Sequence, residues 1–236
     1  MNHVAKKQGF TLIELMLAMS FVSLLLLAIA MTVIQVGNIY SRGMMLKDVN
    51  QTARDLSNDF LRSMGNSGYI NPTTDFVQVT SSGLKVGGRL CLGTVSYVWN
   101  YGEARQINHP DLVRDANGTA VGLVKIVDPT RKYCSATSGS LPKNISVADQ
   151  ATMSQVLREG DRTMELYQFD LITTPTAIDT TTSQRLITIQ YTIGSGNYTA
   201  LTDDRTACKG PNEPGSDLQY CTVEQFSVTL RIGSGV

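Results

Sequence analysis

Apolar and polar positions change their rhythm twice along this chain. Between Leu15 and Ser41 there is no charged residue, and Leu15 to Ile34 is apolar except for Ser20, Ser23 and Thr32. Those hydroxyls can bond back to a carbonyl one helical turn earlier, so they do not oppose burial in lipid. Twenty helical residues span roughly 30 Å, the thickness of a bilayer's hydrocarbon core. A membrane-inserted helix is predicted there. The helical pattern then continues with a different face. Ile39, Leu46, Val49, Ala53, Leu56, Phe60 and Met64 form an apolar stripe, opposed by Lys47, Asp48, Gln51, Arg54, Asp55 and Asp59. No proline precedes Pro72. Gly65-Asn66-Ser67-Gly68 is a natural stop, because glycine accepts the left-handed cap. One helix from about Thr11 to Met64 is predicted, with Gly37 and Gly43 as weak points near the membrane exit.

Beyond Ser67 the period shortens to two. Met164–Ile172, Leu186–Ile193 and Val223–Ile232 alternate apolar and polar residues, the mark of a sheet with one dry face. Weaker strands are predicted at Phe76–Thr80, Arg89–Trp99 and Val121–Val127. Thr173–Ser183 reads as a polar hairpin loop and Ala148–Arg158 as a short helix. The fold class is α+β: a long N-terminal α-helix whose amphipathic half packs on an antiparallel β-sheet head. The boundaries are a leader at 1–9, a transmembrane helical half at 10–36, an amphipathic half at 37–65 and a β-rich head at 66–236.

Charge sharpens the topology. The 236 residues carry 20 Lys and Arg against 20 Asp and Glu, with 17% charged in all. That balance excludes a strongly basic nucleic-acid binder and a highly charged disordered chain. Lys6 and Lys7 precede the apolar run with no acid beside them, which holds the N-terminus in the cytoplasm and places the head outside. Arg42, Lys47 and Arg54 follow the run and weaken this bias. An ordinary signal peptide is the competing reading. Its apolar core is shorter, and Ala28-Ile29-Ala30 is followed by further apolar residues rather than a polar mature start. Nor does a signal peptide need Glu14 at the front of the run, since an acid inside a span is costly.

Gly9-Phe10-Thr11-Leu12-Ile13-Glu14, with two lysines before it and about twenty apolar residues after it, resembles the class III signal of type IV pilins and type II secretion pseudopilins. The resemblance covers about the first 40 residues tightly and leaves the head unmatched at motif level. It implies cleavage by a prepilin peptidase after Gly9 and N-methylation of the new terminus, Phe10. Cleavage would remove two lysines and no acid, leaving a formal charge of −2. It implies that Glu14 pairs with the N-terminal amine of a neighbouring subunit during fibre assembly; self-capping of its own Phe10 amine is the alternative. The implied partners are the peptidase, other pilin or pseudopilin subunits, an inner-membrane assembly platform and, before assembly, membrane lipid. The function it implies is that of a structural minor pilin, possessing no enzymatic activity, with a head most similar to W-type minor pilins and J-type pseudopilins. A secretion pseudopilin and a fibre-displayed adhesin or DNA-uptake pilin are the alternatives.

The four cysteines, Cys91, Cys134, Cys208 and Cys221, all lie beyond the span, where disulfides suit an oxidising compartment. Three pairings are open. Cys208–Cys221 is preferred because it closes a Gly/Pro-rich loop, similar to the C-terminal disulfide-bounded region of many type IV pilins; Cys91–Cys134 then follows by elimination. Reduced, buried cysteines are the alternative. The chain has no Cys-x-x-Cys and only His3 and His109, so no metal and no cofactor is expected. Cys91 with His109 is the sole nucleophilic pairing on offer. Asp203, Asp204 and Asp217 invite calcium but lack its regular ligand spacing, and a solvated loop is the preferred reading. Arg105, Arg114, Arg131, Lys132 and Lys143 are scattered through loops without aromatic interleaving, so nucleic acid is not indicated.

Overall fold

The computed structural model describes residues 10–68, 70–134, 141–157, 163–179 and 184–233. The chain divides after Ser41 into two compact units. Helix α1 runs from Leu12 to Gly65, a length of 54 residues. It ends where the glycines predict: Ser67 donates from its backbone N and its Oγ to the Met64 carbonyl, and Gly68 takes a φ of +69°.

Within the first unit, α1 is covered by nothing. Residues 10–40 are all exposed, from Phe10 at 87% to Tyr40 at 68%. Ser20, Ser23 and Thr32 bond back to the carbonyls of Met16, Met19 and Ala28, so their hydroxyls are satisfied within the helix itself.

Within the second unit, the rest of α1 is half-sunk in a core. Met45, Val49, Ala53, Leu56, Phe60 and Met64 are buried, at the 3/4 spacing of one face. The stripe begins later than the apolar pattern suggests. Ile39 is exposed and Leu46 only half-buried, while Met45 turns inward. Asp48, expected on the wet face, is 8% exposed. It sits one residue before Val49, on the shoulder of the buried face, and makes contacts there.

Two antiparallel sheets cover this face. The first has the order β1 (Phe76–Ser81), β2 (Leu84–Leu92), β3 (Val95–Asn100), β4 (Leu123–Val127) and β5 (Met153–Gln155). The second has β6 (Met164–Asp179), β7 (Gln184–Ser195) and β8 (Val223–Ile232). Both contribute to one core with α1. Phe60 lies at its centre, with ring centroids 5.0 Å from Tyr97 of the first sheet and 5.4 and 5.9 Å from Phe169 and Tyr191 of the second. Tyrosines from both sheets fix the helix. Tyr191 donates to the Ala53 carbonyl at 2.7 Å, and Tyr97 donates to Asp59 at 2.6 Å. Lys125 of β4 closes on the same Asp59 at 2.6 Å.

Three local expectations need correction. Arg89–Trp99 is not one strand but a hairpin, β2 and β3, turning at Gly93 with a φ of +58°. The tight pairing needs Gly88 opposite Trp99, because a Cβ there would lie 2.2 Å from the indole. Of Thr173–Ser183, residues 180–183 lie outside the described residues, and the remainder is not loop: β6 continues to Asp179 past an irregularity between Thr173 and Ile178. Threonine favours extended backbone, and β6 is an edge strand, where Pro175 costs no central hydrogen bond. Of Ala148–Arg158, the described residues, which end at Leu157, are helical for a single turn only. Helix α2 (Val147–Gln150) is capped by Ser146, and Met153–Gln155 then leaves as β5 to pair with β4.

Candidate functional site

The resemblance points to the start of α1. Gly9, Lys6 and Lys7 lie outside the described residues. Phe10 is exposed in front of the helix. Thr11 is the N-cap, and Glu14 stands three residues on. The Thr11 backbone N and Oγ1 both donate to Glu14 Oε2, at 2.9 and 2.8 Å. The Glu14 backbone N in turn reaches Thr11 Oγ1 at 3.4 Å. This is a reciprocal capping box, which satisfies two backbone donors that a helix start otherwise leaves orphaned. The signal for it is Thr-x-x-Glu directly before an apolar run. The carboxylate therefore has a local task, and one oxygen, Oε1, keeps no partner among the described residues.

After Glu14, α1 offers a continuous apolar surface with no charge before Arg42. It is the one helix among the described residues that is long and apolar enough to cross a membrane. A helix apolar all round is stable in water only if something covers it, and within this unit nothing does.

The cysteines pair as Cys91–Cys134 and Cys208–Cys221, with Cα atoms 6.1 and 6.0 Å apart. Cys91 is thus no thiol nucleophile, and His109 Nδ1 instead accepts from the Asp111 backbone at 3.2 Å. The acids near the second disulfide serve the loop. Asp204 accepts from Thr202 and Thr206, which holds its carboxyl below the usual range. Asp217 accepts from the backbones of Gln219 and Tyr220. No group of three or more metal-ligating side chains occurs among the described residues. Several scattered cations are committed to ion pairs: Arg105 to Glu165 and Lys132 to Asp149, at 2.8 and 2.6 Å, and Arg131 to Asp75.

No protein family, no curated protein and no solved structure matches this chain. The α+β class rests on the elements described above. The functional reading rests on the chemistry of α1.

Proposed function

We propose that this chain is a structural subunit of a type IV pilus, of the minor class, held in the inner membrane until it joins the fibre. The observation that carries the reading is the partition of α1. Its first part is apolar on every side and uncovered, with a single capped carboxylate at its start. Its second part belongs to the core of the head. Lipid can cover the first part before assembly, and the helices of neighbouring subunits can cover it afterwards. Each large apolar side chain taken from water gains about 1.5–3 kcal/mol, so either cover is strongly preferred to exposure.

In this reading a prepilin peptidase cuts after Gly9 and the new Phe10 terminus is methylated. Glu14 Oε1 is open to an amine from a neighbouring subunit, while Oε2 keeps the helix start closed. The head stays outside the membrane with its two disulfides. The chain performs no catalysis; its work is packing.

Mass spectrometry of the chain recovered from sheared surface fibres tests this. The expected N-terminus is N-methylated Phe10. An intact Met1 start, cleavage after Ala30, or absence from the fibres would overturn the reading.

A further inference from the structure

Four Asn-x-Ser/Thr triplets without a central proline occur in the chain: Asn50-Gln51-Thr52, Asn117-Gly118-Thr119, Asn144-Ile145-Ser146 and Asn197-Tyr198-Thr199. Such a triplet is the acceptor pattern for N-linked glycosylation, which needs it on an accessible surface. We propose that Asn117 is an N-glycosylation site, modified by an oligosaccharyltransferase that draws on a polyprenyl-diphosphate-linked oligosaccharide. This rests on the head lying outside the cytoplasm, as in the reading above.

The other three triplets are committed elsewhere. Asn50 lies inside α1, its Nδ2 donates to the Leu46 carbonyl at 2.9 Å, and Thr52 is buried. A transferase would have to unwind a helix seated in the core to reach it. Asn144 is flanked by two backbone bonds: Arg114 N donates to the Lys143 carbonyl and Ile145 N to the Arg114 carbonyl, at 3.0 and 2.8 Å. Its Ser146 is spent as the N-cap of α2, bonded to Asp149. Asn197 Oδ1 holds both the backbone N and the hydroxyl of Thr199, at 3.2 and 2.7 Å, so the hydroxyl of that triplet is already donated.

At Asn117 the geometry is the reverse. Arg114 and Ala120 form an antiparallel bridge, and residues 116–119 are its exposed tip. Asp115 closes the tip. Its N donates to the Thr119 carbonyl at 2.8 Å, and its own carbonyl accepts from Gly118 N at 3.0 Å. Its Oδ1 accepts from the backbones of Asn117 and Thr119, at 2.9 and 2.7 Å. Gly118 takes a φ of +82°, which glycine allows without strain. The Asn117 amide and the Thr119 hydroxyl take no part in this closure and have no hydrogen-bond partner among the described residues. Both groups of the triplet are therefore presented at no cost to the turn. The flanking Val113 and Val121 are seated in a core cluster that contains no residue of α1, so a bulky group at the tip leaves the packed face of the helix alone.

The transfer balances without any redox partner. Asn117 Nδ2 forms a bond to the anomeric carbon of the oligosaccharide. The bond from that carbon to the carrier's diphosphate oxygen breaks, and the polyprenyl diphosphate leaves with its electron pair. One amide proton passes to a base of the transferase. The Thr119 hydroxyl is the group by which the enzyme recognises the triplet.

The test uses the full chain isolated from the membranes of its native cell and digested with trypsin. Cleavage after Arg114 and Lys125 frees residues 115–125, which hold one asparagine, one threonine and no serine. Electron-transfer fragmentation then places any added mass on a single residue. An oligosaccharide on Asn117 is expected. Asn117→Gln and Thr119→Val should lose the modified peptide completely, whereas Thr119→Ser should keep it. All three variants should retain both disulfides and enter fibres as the unaltered chain does. A wholly bare or merely deamidated 115–125 peptide in an exported, disulfide-bonded chain would overturn this proposal alone. So would a glycan on Thr119, or one that survives Thr119→Val. A head that keeps reduced cysteines and an uncut N-terminus was never exported, and that result overturns the assembly reading along with this one.

Discussion

Glu14 performs a task that can be separated from its charge. Glutamine can accept from Thr11 as glutamate does, because its amide oxygen occupies the same place. Glu14→Gln should therefore retain the helix start and lose the negative charge, while Glu14→Ala loses both. If an amine in the fibre needs the charge, both variants should be cleaved normally and both should fail to enter sheared fibres. Normal incorporation of Glu14→Gln would reduce Glu14 to a helix cap. A second residue-scale prediction concerns acid. Lys132, then the Ser146 and Tyr133 hydroxyls, hold the Asp149 carboxyl down to about 2, from an ordinary value of 3.8. A carboxyl lowered on folding stabilises above its unfolded value, and the gain is lost as pH falls through the folded value. Between about pH 4 and 2 this anchor of α2 should release. Denaturant titrations across that window should show less acid sensitivity in Asp149→Asn; an identical pH profile would remove Asp149 from the account.

Elements separate what the sequence makes legible from what it leaves hidden. The face of α1 that is buried in the head was readable because Val49, Ala53, Leu56, Phe60 and Met64 recur at a spacing only a helix puts on one side. Phe60 joins both sheets, so Phe60→Ala should cost about 3–5 kcal/mol. Neighbouring Leu61 is 42% exposed, and Leu61→Ala should stay within about 0.5 kcal/mol. Paired unfolding curves of the two variants decide this, and equal losses would mean that α1 is rotated from the packing described. The strands β7 and β8 were equally legible from strict alternation. The Gly93 turn was not, because Leu92 to Val95 keeps enough apolar character to read as one strand. Nor was the extension of β6, because polar threonines suit a loop and an edge strand alike. At the start of α1 the Gly9–Glu14 motif is legible in the sequence, and the Thr-x-x-Glu spacing within it encodes the capping box of Thr11 and Glu14.

At the scale of the whole molecule, the two halves of α1 differ in surroundings: residues 10–40 are exposed, and every buried residue of α1 lies at Met45 or beyond. The head's core, both disulfides and both sheets lie within Arg42–Val236. The exposed apolar surface of residues 10–40 is therefore removable without opening the core. Three α1 residues, Arg42, Gly43 and Met44, precede the first buried one, so a chain beginning at Arg42 keeps a short lead into the packed face. Fraying of that lead costs little, because the terminal turns of a helix contribute few tertiary contacts. A chain of Arg42–Val236 made in an oxidising compartment should be soluble without detergent, carry both disulfides and unfold in one cooperative step. The full chain should need detergent or a bilayer to stay dispersed. Sedimentation and thermal unfolding of the two side by side give the answer. Aggregation or non-cooperative unfolding of the Arg42 chain would show that the apolar half of α1 supports the head itself, and that its surface is not reserved for membrane and fibre.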